Sequence, residues 1–543
     1  MKKSIINDDD NFSLALKEEI NLRQEQINLE EIKHLSSEDQ NLFVEYGIAP
    51  KTETPYKNVI HAFEYWASKT PENTAAIFQN LSITYKQLDD EATILALILK
   101  QKGIKRGDKV GLYTHRSLEM LIGIIAVLKL RAVYVPQDPR IVPKNMLSEI
   151  TELSNIKIIL TQSDYSEKLD FIKSDDLIQI DIELEKEIYK NLYGNIRLIN
   201  HVNDNANNSC FILFTSGTTG TPNGVEVTHK NLCNILYNTP GNLGISPGIK
   251  VAQILNISFD MAAWEVLGCL GNGGTLLIRG KDIEETAKQA NVIIATPTIL
   301  TSIDAEQCHE IKAVAVAGEP CPVILANTWS KKCDFYNCCG PTETTIVNTM
   351  KKCVPNSYEL SIGKPTPNNT VYILDNDKKP VKVGDVGVMW AGGDCVTKGY
   401  INNDELNKTR YAKDIFLKGE NIMFNTGDLG RWDENGELIH YGRIDDQVKI
   451  KGFRVELDAI TKIIENFNEV KRAVTLKHKN HLVSFISLID QRATETLLNH
   501  IIEAIERDLP YYYVPSEFKF LDELPKTSRG KIDKRKIRTS YLK

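Results

Sequence analysis

From about residue 57 onward, short apolar runs alternate with helix-length segments, and this alternation leaves few architectures open to the chain. The runs 109–113 (KVGLY), 132–136 (AVYVP), 156–160 (IKIIL), 177–181 (LIQID) and 291–296 (NVIIAT) have the length and the Val/Ile content of strands. Between them, Val59, Ile60, Phe63, Trp66 and Ala67 fall on one helical face with Pro71 just beyond. ITYKQL (83–88) reads as a strand running into a helix, and 118–130 as a mostly apolar helix. Strands that are apolar on both faces and separated by helices make parallel βαβ units with covered sheets. At 543 residues one core does not suffice, so two or three domains are expected.

After Gly442 the pattern changes. VKI and FRVEL read as short strands, 458–467 as a helix, and VKRAVTLK and HLVSFISLI as two more strands. The helix expected over 494–509 turns Leu497, Leu498, Ile501, Ile502 and Ile505 inward. The fold class is therefore α/β: a large N-terminal lobe of βαβ-type sheets with covering helices, then a small α+β lobe. The expected division is 1–50, a polar, linker-like extension; 51–444, the large lobe; and 445–543, the small lobe. Ser37 with Gln40 reads as a capping box before Leu42, Phe43 and Val44.

The stretch FTSGTTGTPNG (214–224) follows a short apolar run, 210–213. Thr215, Ser216, Gly217, Thr218, Thr219 and Gly220 combine hydroxyls with glycine-permitted backbone freedom, which suits a polyphosphate, although Ser/Thr/Gly surface loops share that composition. No Lys-Ser or Lys-Thr follows at Walker spacing. Bulk properties narrow the rest. A formal net charge of −7 argues against nucleic acid as the main partner. The apolar stretch 120–130 contains Lys129 and is far short of a membrane span. With no early apolar run, and ten cysteines without a C-x-x-C pair, a cytoplasmic protein with free thiols and no zinc site is expected.

NCCGPTETT (337–345), NTGDLGRW (425–432), GRIDDQVKIKGFRVEL (442–457) and TSRGKIDKRK (527–536) follow the hydroxyl loop in order. Over roughly residues 50–540 the five strings resemble the adenylate-forming superfamily. FDMAAWE (259–265) and QVKIKGFRVEL resemble its amino-acid-activating branch, the adenylation domains of nonribosomal peptide synthetases. That resemblance implies ATP and Mg²⁺ as cofactors, an amino acid as substrate, and a carrier protein whose phosphopantetheine thiol comes in trans or from a domain outside this sequence. LSSEDQNLFVEYG then resembles the linker that enters such a domain. Another acid–thiol or amide ligase of the superfamily, or a nucleotide-binding relative without turnover, remains the alternative.

The resemblance also implies roles, residue by residue. Thr215 to Gly220 would hold the β- and γ-phosphates, Thr342 the α-phosphate and Glu343 the magnesium ion. Asn337 and Cys339 would lie at adenine, Asp428 at the ribose hydroxyls, and Arg443 at the nucleotide. Lys531 would bridge the substrate carboxylate and the α-phosphate. Asp260 would pair with an α-ammonium group, and Met261, Trp264, Ile294, Ala315, Ala317, Cys338, Ile346 and Val347 would wall the side-chain pocket. Nothing on those walls is charged, so an apolar substrate is expected, aromatic or large aliphatic. Asp445 is the implied hinge of a mobile C-terminal lobe, and Lys449 lies on the face shown to the thiol. Three departures stand out: Asn223 where the family has Lys, Cys339 where it has an aromatic ring, and 130–133 (LRAV) where it has Ala-Gly-Gly-Ala.

Overall fold

The computed structural model describes residues 27–166, 169, 178–183, 205–215, 217, 221–444, 447–450, 452–490, 494–526 and 532–542. The short apolar runs are strands, and they divide between two largely parallel sheets. One sheet has the order Ile178–Asp181, Ile158–Thr161, Lys109–Tyr113, Val133–Gln137, Ser209–Thr215, Asn223–Thr228, the last strand antiparallel. The other runs Lys364–Pro365, Thr349–Cys353, Asp334–Cys339, Ala313–Val316, Val292–Ala295, Lys250–Gln253, Thr275–Ile278, Thr74–Phe78, Leu81–Thr84. Its six strands from Asp334–Cys339 to Thr74–Phe78 are parallel.

Helices fill the space between the sheets. Leu118–Lys129 packs on the first sheet and on helix Tyr85–Gln101, and it is buried almost all round. Asp260–Gly271 packs on the second sheet and on helix Val59–Lys69. Such two-sided cover is why the strands Ile158–Thr161, Val292–Ala295 and Ala313–Val316 are buried at every position. The sequence change at 130–133 has a structural reading here. Arg131 follows the helix in the left-handed region (φ 59°), a conformation that favours glycine. Its guanidinium caps the helix end, donating to the carbonyls of Leu128 (3.2 Å) and Lys129 (3.3 Å).

A third sheet is antiparallel: Asn369–Leu374, Gly387–Gly393, Ile422–Trp432 and Tyr411–Lys413, with Leu438–Arg443 also paired to Ile422–Trp432. Asp428 lies inside the strand Ile422–Trp432. Gly427 takes φ 75°, and the pairing shifts register beside it, so the chain bulges where the sequence reads as a turn. The linker-like reading of 1–50 also needs correction over its described part. Ile27, Ile32, Phe43, Val44 and Ile48 are buried against Tyr372, Trp390 and Phe416. The cap of helix Ser37–Gly47 sits one residue earlier than expected, with Asp39 N–H donating to Ser36 Oγ at 3.1 Å.

The small lobe has its own core. Ile450, Val455, Leu457, Ile460, Ile464, Leu482 and Ile486 meet Leu497, Ile501 and Ile505 of helix Glu495–Asp508. Ala504 completes that helix's buried stripe, while Leu498 and Ile502 lie half-buried on its flank. The hairpin Gln447–Ile450/Phe453–Glu456 leads from this core back to the large lobe.

Phe43 tests whether the N-terminal segment is structural. Its ring stacks on Tyr372 at 5.3 Å and is 6% exposed. Phe43→Ala is expected to cost about 3 kcal/mol, read as a lower denaturant midpoint; a change under about 0.5 kcal/mol would show a detachable segment.

Candidate active site

Parallel sheets place their ligands beyond the carboxyl ends of the strands, where loops diverge. Here the carboxyl ends of both sheets open on one cleft of about 930 Å³. Its lining includes Asn337, Cys338 and Cys339 from one strand end, Ala317 to Glu319 from the next, and Thr296 from the third. Thr215 comes from the other sheet, and Lys449, Gly452, Phe453 and Arg454 from the small lobe's hairpin.

At one end Asp428 and Arg443 face each other across the antiparallel pair, Nη1 donating to Oδ1 at 2.8 Å. His440 Nε2 stands 3.4 Å from the same oxygen. Burial disfavours the Asp428 charge, but His440 and Arg443 outweigh it and hold the carboxyl below its ordinary range. Asn337 is buried and already donates to the Ser361 carbonyl at 2.8 Å. Burial pushes the Cys339 thiol up to about 12, so it is a neutral, polarisable wall and not a nucleophile.

The segment GPTETTIVN folds into a tight turn. Thr345 and Ile346 both adopt left-handed backbone (φ 53° and 70°), unusual for β-branched residues. The Thr345 hydroxyl donates to the Cys395 carbonyl at 2.7 Å and holds the turn. Thr342 faces the cleft, whereas Glu343 points inward and is fully buried. Arg454 Nη1 of the small lobe donates to both Glu343 oxygens at 3.0 Å, and Tyr400 donates its hydroxyl to Oε1 at 2.6 Å. Burial works against this charge, yet Arg454 and Tyr400 more than compensate and lower its pKa. As the lobes stand, these donors do not fit a magnesium site. Both oxygens accept from a cation, and among the described residues no cluster of three His, Cys, Asp or Glu could hold a metal. Arg454 was not anticipated from the sequence; its string marked the region without naming the partner.

Asp260 opens the helix Asp260–Gly271 and lines the cleft. Burial raises its pKa, opposed by the Thr342 hydroxyl, Lys449 and the Met261 N–H. Of the expected wall, Met261, Ala317, Cys338 and Ile346 line the cleft. Trp264, Ile294, Ala315 and Val347 lie buried behind it instead. Trp264 spends its N–H on the Gly241 carbonyl at 2.7 Å, which turns its ring into the core. Ile294 and Ala315 sit on sheet strands one register step from the carboxyl ends, with packing on both faces.

Lys449 lines the same cleft as Asp260, Asp428 and Cys339. Gly452 (φ 87°) lies so close to Thr296 that a Cβ would collide with its side chain, and its N–H donates to Glu319. Glu319, also missed by sequence reading, accepts the Thr298 N–H at 3.0 Å as well. Thr215 ends its strand, its hydroxyl 3.4 Å from the Asn223 carbonyl, and Gly217 is buried. Asn223 accepts from Asn403 at 3.0 Å. Ser216, Thr218, Thr219, Gly220, Asp445 and Lys531 lie outside the described residues.

Residues 63–401 match the family model described as AMP-binding enzyme. Adenylate-forming reductase 06235 of Coprinopsis cinerea is 42% identical over 514 residues, 94% of this chain and 49% of that protein. Gramicidin S synthase 1 of Brevibacillus brevis is 32% identical over 513 residues, 92% of this chain and 46% of that protein. The chain thus spans about half the length of these curated relatives. The structure of holo-PA1221, described as an NRPS protein containing adenylation and PCP domains, aligns with TM-score 0.77 at 22% identity, over 89% of this chain and 84% of that one. That likeness shows the shared fold: a large N-terminal lobe and a small C-terminal one.

The Glu343–Arg454 pair has a pH signature. A carboxyl held below its unfolded value contributes stability above that value, and the contribution is lost as pH falls through the folded pKa. Arg454→Met leaves the charge buried without its cation, a loss of about 3 kcal/mol at neutral pH. The deficit is expected to shrink toward acid pH as Glu343 protonates. Thermal unfolding across the acid range checks this, and a pH-independent deficit would contradict it.

Proposed function

Because the chain belongs to the AMP-binding enzyme family, we propose that it activates an apolar L-amino acid, aromatic or large aliphatic, with ATP. The product would be the aminoacyl-adenylate, which is then passed to the phosphopantetheine thiol of a carrier protein. The substrate carboxylate attacks the α-phosphorus and pyrophosphate leaves; the thiol then attacks the acyl carbon and AMP leaves. Negative charge builds up in both steps, so preorganised donors supply most of the catalysis. Lys531 is assigned to the first step and Thr342 to the α-phosphate. Lys449, which lines the cleft with Asp260 and Asp428, is assigned to the second.

Asp260 is the observation that carries the amino-acid reading. A carboxylate at the cleft surface whose charge is disfavoured by burial gains from a cationic partner, and an α-ammonium group is one. Met261, Ala317, Cys338 and Ile346 offer a charged side chain no partner, at a cost of about 1–3 kcal/mol. Magnesium at Glu343 belongs to the proposal only for an arrangement in which Arg454 has withdrawn, and no step above depends on it. In that reading Asp445 is the hinge about which residues 445–543 turn, and the present seating of the hairpin serves the thiol step.

The relatives called adenylate-forming reductases favour a second reading, in which this chain activates an acid without an amine. ATP–pyrophosphate exchange across amino, aryl and fatty acids separates the two. Exchange led by Phe, Leu or a similar residue is expected, with Asp260→Asn weakening it by about ten- to a hundredfold and Lys531→Ala by at least about a hundredfold. Since the folded pKa of Asp260 is raised, amino-acid affinity is expected to fall as pH drops through a range above ordinary aspartate values. A panel led by aryl acids, or by Asp, Lys or Gln, would overturn the assignment.

A further inference from the structure

The hairpin Gln447–Ile450/Phe453–Glu456 forms a sheet of two strands, and such ribbons are marginally stable by themselves. It nevertheless brings Lys449 and Arg454, a directly opposed pair, to the cleft. Alternate pairs of an antiparallel ladder turn their N–H and C=O groups away from the partner strand. Here the outward groups include the Lys449 carbonyl on one edge, and the Arg454 carbonyl and Glu456 N–H on the other. Side chains of the small lobe meet both edges.

Along the edge of Phe453–Glu456 lies the turn Tyr511–Tyr513. The Tyr513 hydroxyl accepts the Glu456 N–H at 3.4 Å and donates to the Arg454 carbonyl at 3.3 Å, as a third strand would. The residue is 1% exposed and belongs to the small lobe's core, which fixes where its hydroxyl lies. Tyr512 beside it stacks on Phe453, with centroids 4.1 Å and planes 7° apart. The edge of Gln447–Ile450 is met by Lys477, from the strand Val470–His478. Its Nζ donates to the Lys449 carbonyl at 2.7 Å. Lys477 is half-buried and lines the cleft; burial lowers its pKa, opposed by Glu319. Glu319 also accepts the Gly452 N–H, so one carboxylate serves both the lysine and the hairpin's turn.

Tyr513 and Lys477 both belong to the small lobe, so they travel with the hairpin and do not tie the lobes together. What they fix is the backbone at 449 and 454, the two positions whose side chains line the cleft. A shift there would carry the Arg454 guanidinium off Glu343, where Nη1 meets both oxygens at 3.0 Å. A misplacement of about 1 Å can cost about a hundredfold in rate. Resting on the function proposed above, in which this seating serves the thiol step, we propose that Tyr513 and Lys477 are positioning residues for that step. From opposite edges they set the hairpin so that Arg454 engages Glu343 and Lys449 is held at the cleft. They act through those two residues and are not catalytic themselves.

The two half-reactions would be measured separately on the whole chain: ATP–pyrophosphate exchange, and thioester formation with phosphopantetheine as acceptor. Tyr513→Phe keeps the ring and removes one hydroxyl; it is expected to lower kcat for thioester formation by about three- to tenfold. Lys477→Met removes a charged donor and is expected to lower it by about ten- to a hundredfold. Lys477→Arg keeps most of the rate. Exchange, and KM for phosphopantetheine, stay unchanged in all three. A raised KM with kcat held would overturn the proposal, because Lys477 would then contact the acceptor itself. Equal loss in both half-reactions would do the same, as a general effect on the small lobe. In the Arg454→Met background Tyr513→Phe is expected to lower the rate little further, since residues acting through one group are not additive; full additivity excludes the route through Arg454. Should the wild type form no thioester from any acid, the function proposed above fails first. Positioning is then judged by thermal unfolding alone: the midpoint loss from Tyr513→Phe must shrink in the Arg454→Met background, and equal losses sink it.

Discussion

Everything chemical in this protein hangs on strand direction. A parallel strand must return through a crossover, and the crossover helices cover both sheet faces. Side chains within the strands are then committed to packing, and only the residues just past each carboxyl end are free to meet a ligand. Cys339, Ala317, Thr296, Arg279, Thr215 and Arg140 all stand at such ends. Because the two sheets point these ends into one cleft, residues as far apart in sequence as Arg140 and Cys339 line the same space.

The cleft is closed on its remaining side by the hairpin Gln447–Glu456, and the seal is polar as well as apolar. Glu343 is fully buried, and a buried charge without partners would be costly. Arg454 and Tyr400 meet that need, one from each lobe. Such a pair adds little net stability over an apolar equivalent, but it is specific, because moving the hairpin away uncovers the carboxylate. Gly452 adds a second cross-lobe contact, to Glu319, in a backbone conformation and at a distance from Thr296 that leave no room for a side chain. Both contacts tie the small lobe's hairpin to the large lobe's side of the cleft.

How legible the fold was depended on how local its signal is. The βαβ alternation and the small lobe's strands and helices appeared in the sequence because period and length are local properties. The antiparallel sheet did not, since glycines interrupt Gly387–Gly393 and the bulged Ile422–Trp432 and break the alternating pattern of a strand. The N-terminal segment read as polar because its buried residues, Ile27, Ile32, Phe43 and Ile48, are spaced to meet a sheet some 350 residues away and not one another.

At the site, sequence by itself determined the chemical groups and their order: the hydroxyl loop, the Thr342-Glu343 turn, Asp260, Asp428 and the hairpin lysine. Which of them face the same space was decided only by the tertiary structure. Trp264 keeps an apolar ring in the core by giving its N–H to Gly241, so it does not line the cleft. Glu343 is turned inward by strained backbone at Thr345 and Ile346 and claimed by Arg454. Arg116, Arg140 and Arg279, which line the same cleft, carry no motif of their own. Their shared location follows from sheet order, and sheet order arises from long-range pairing that no local pattern encodes.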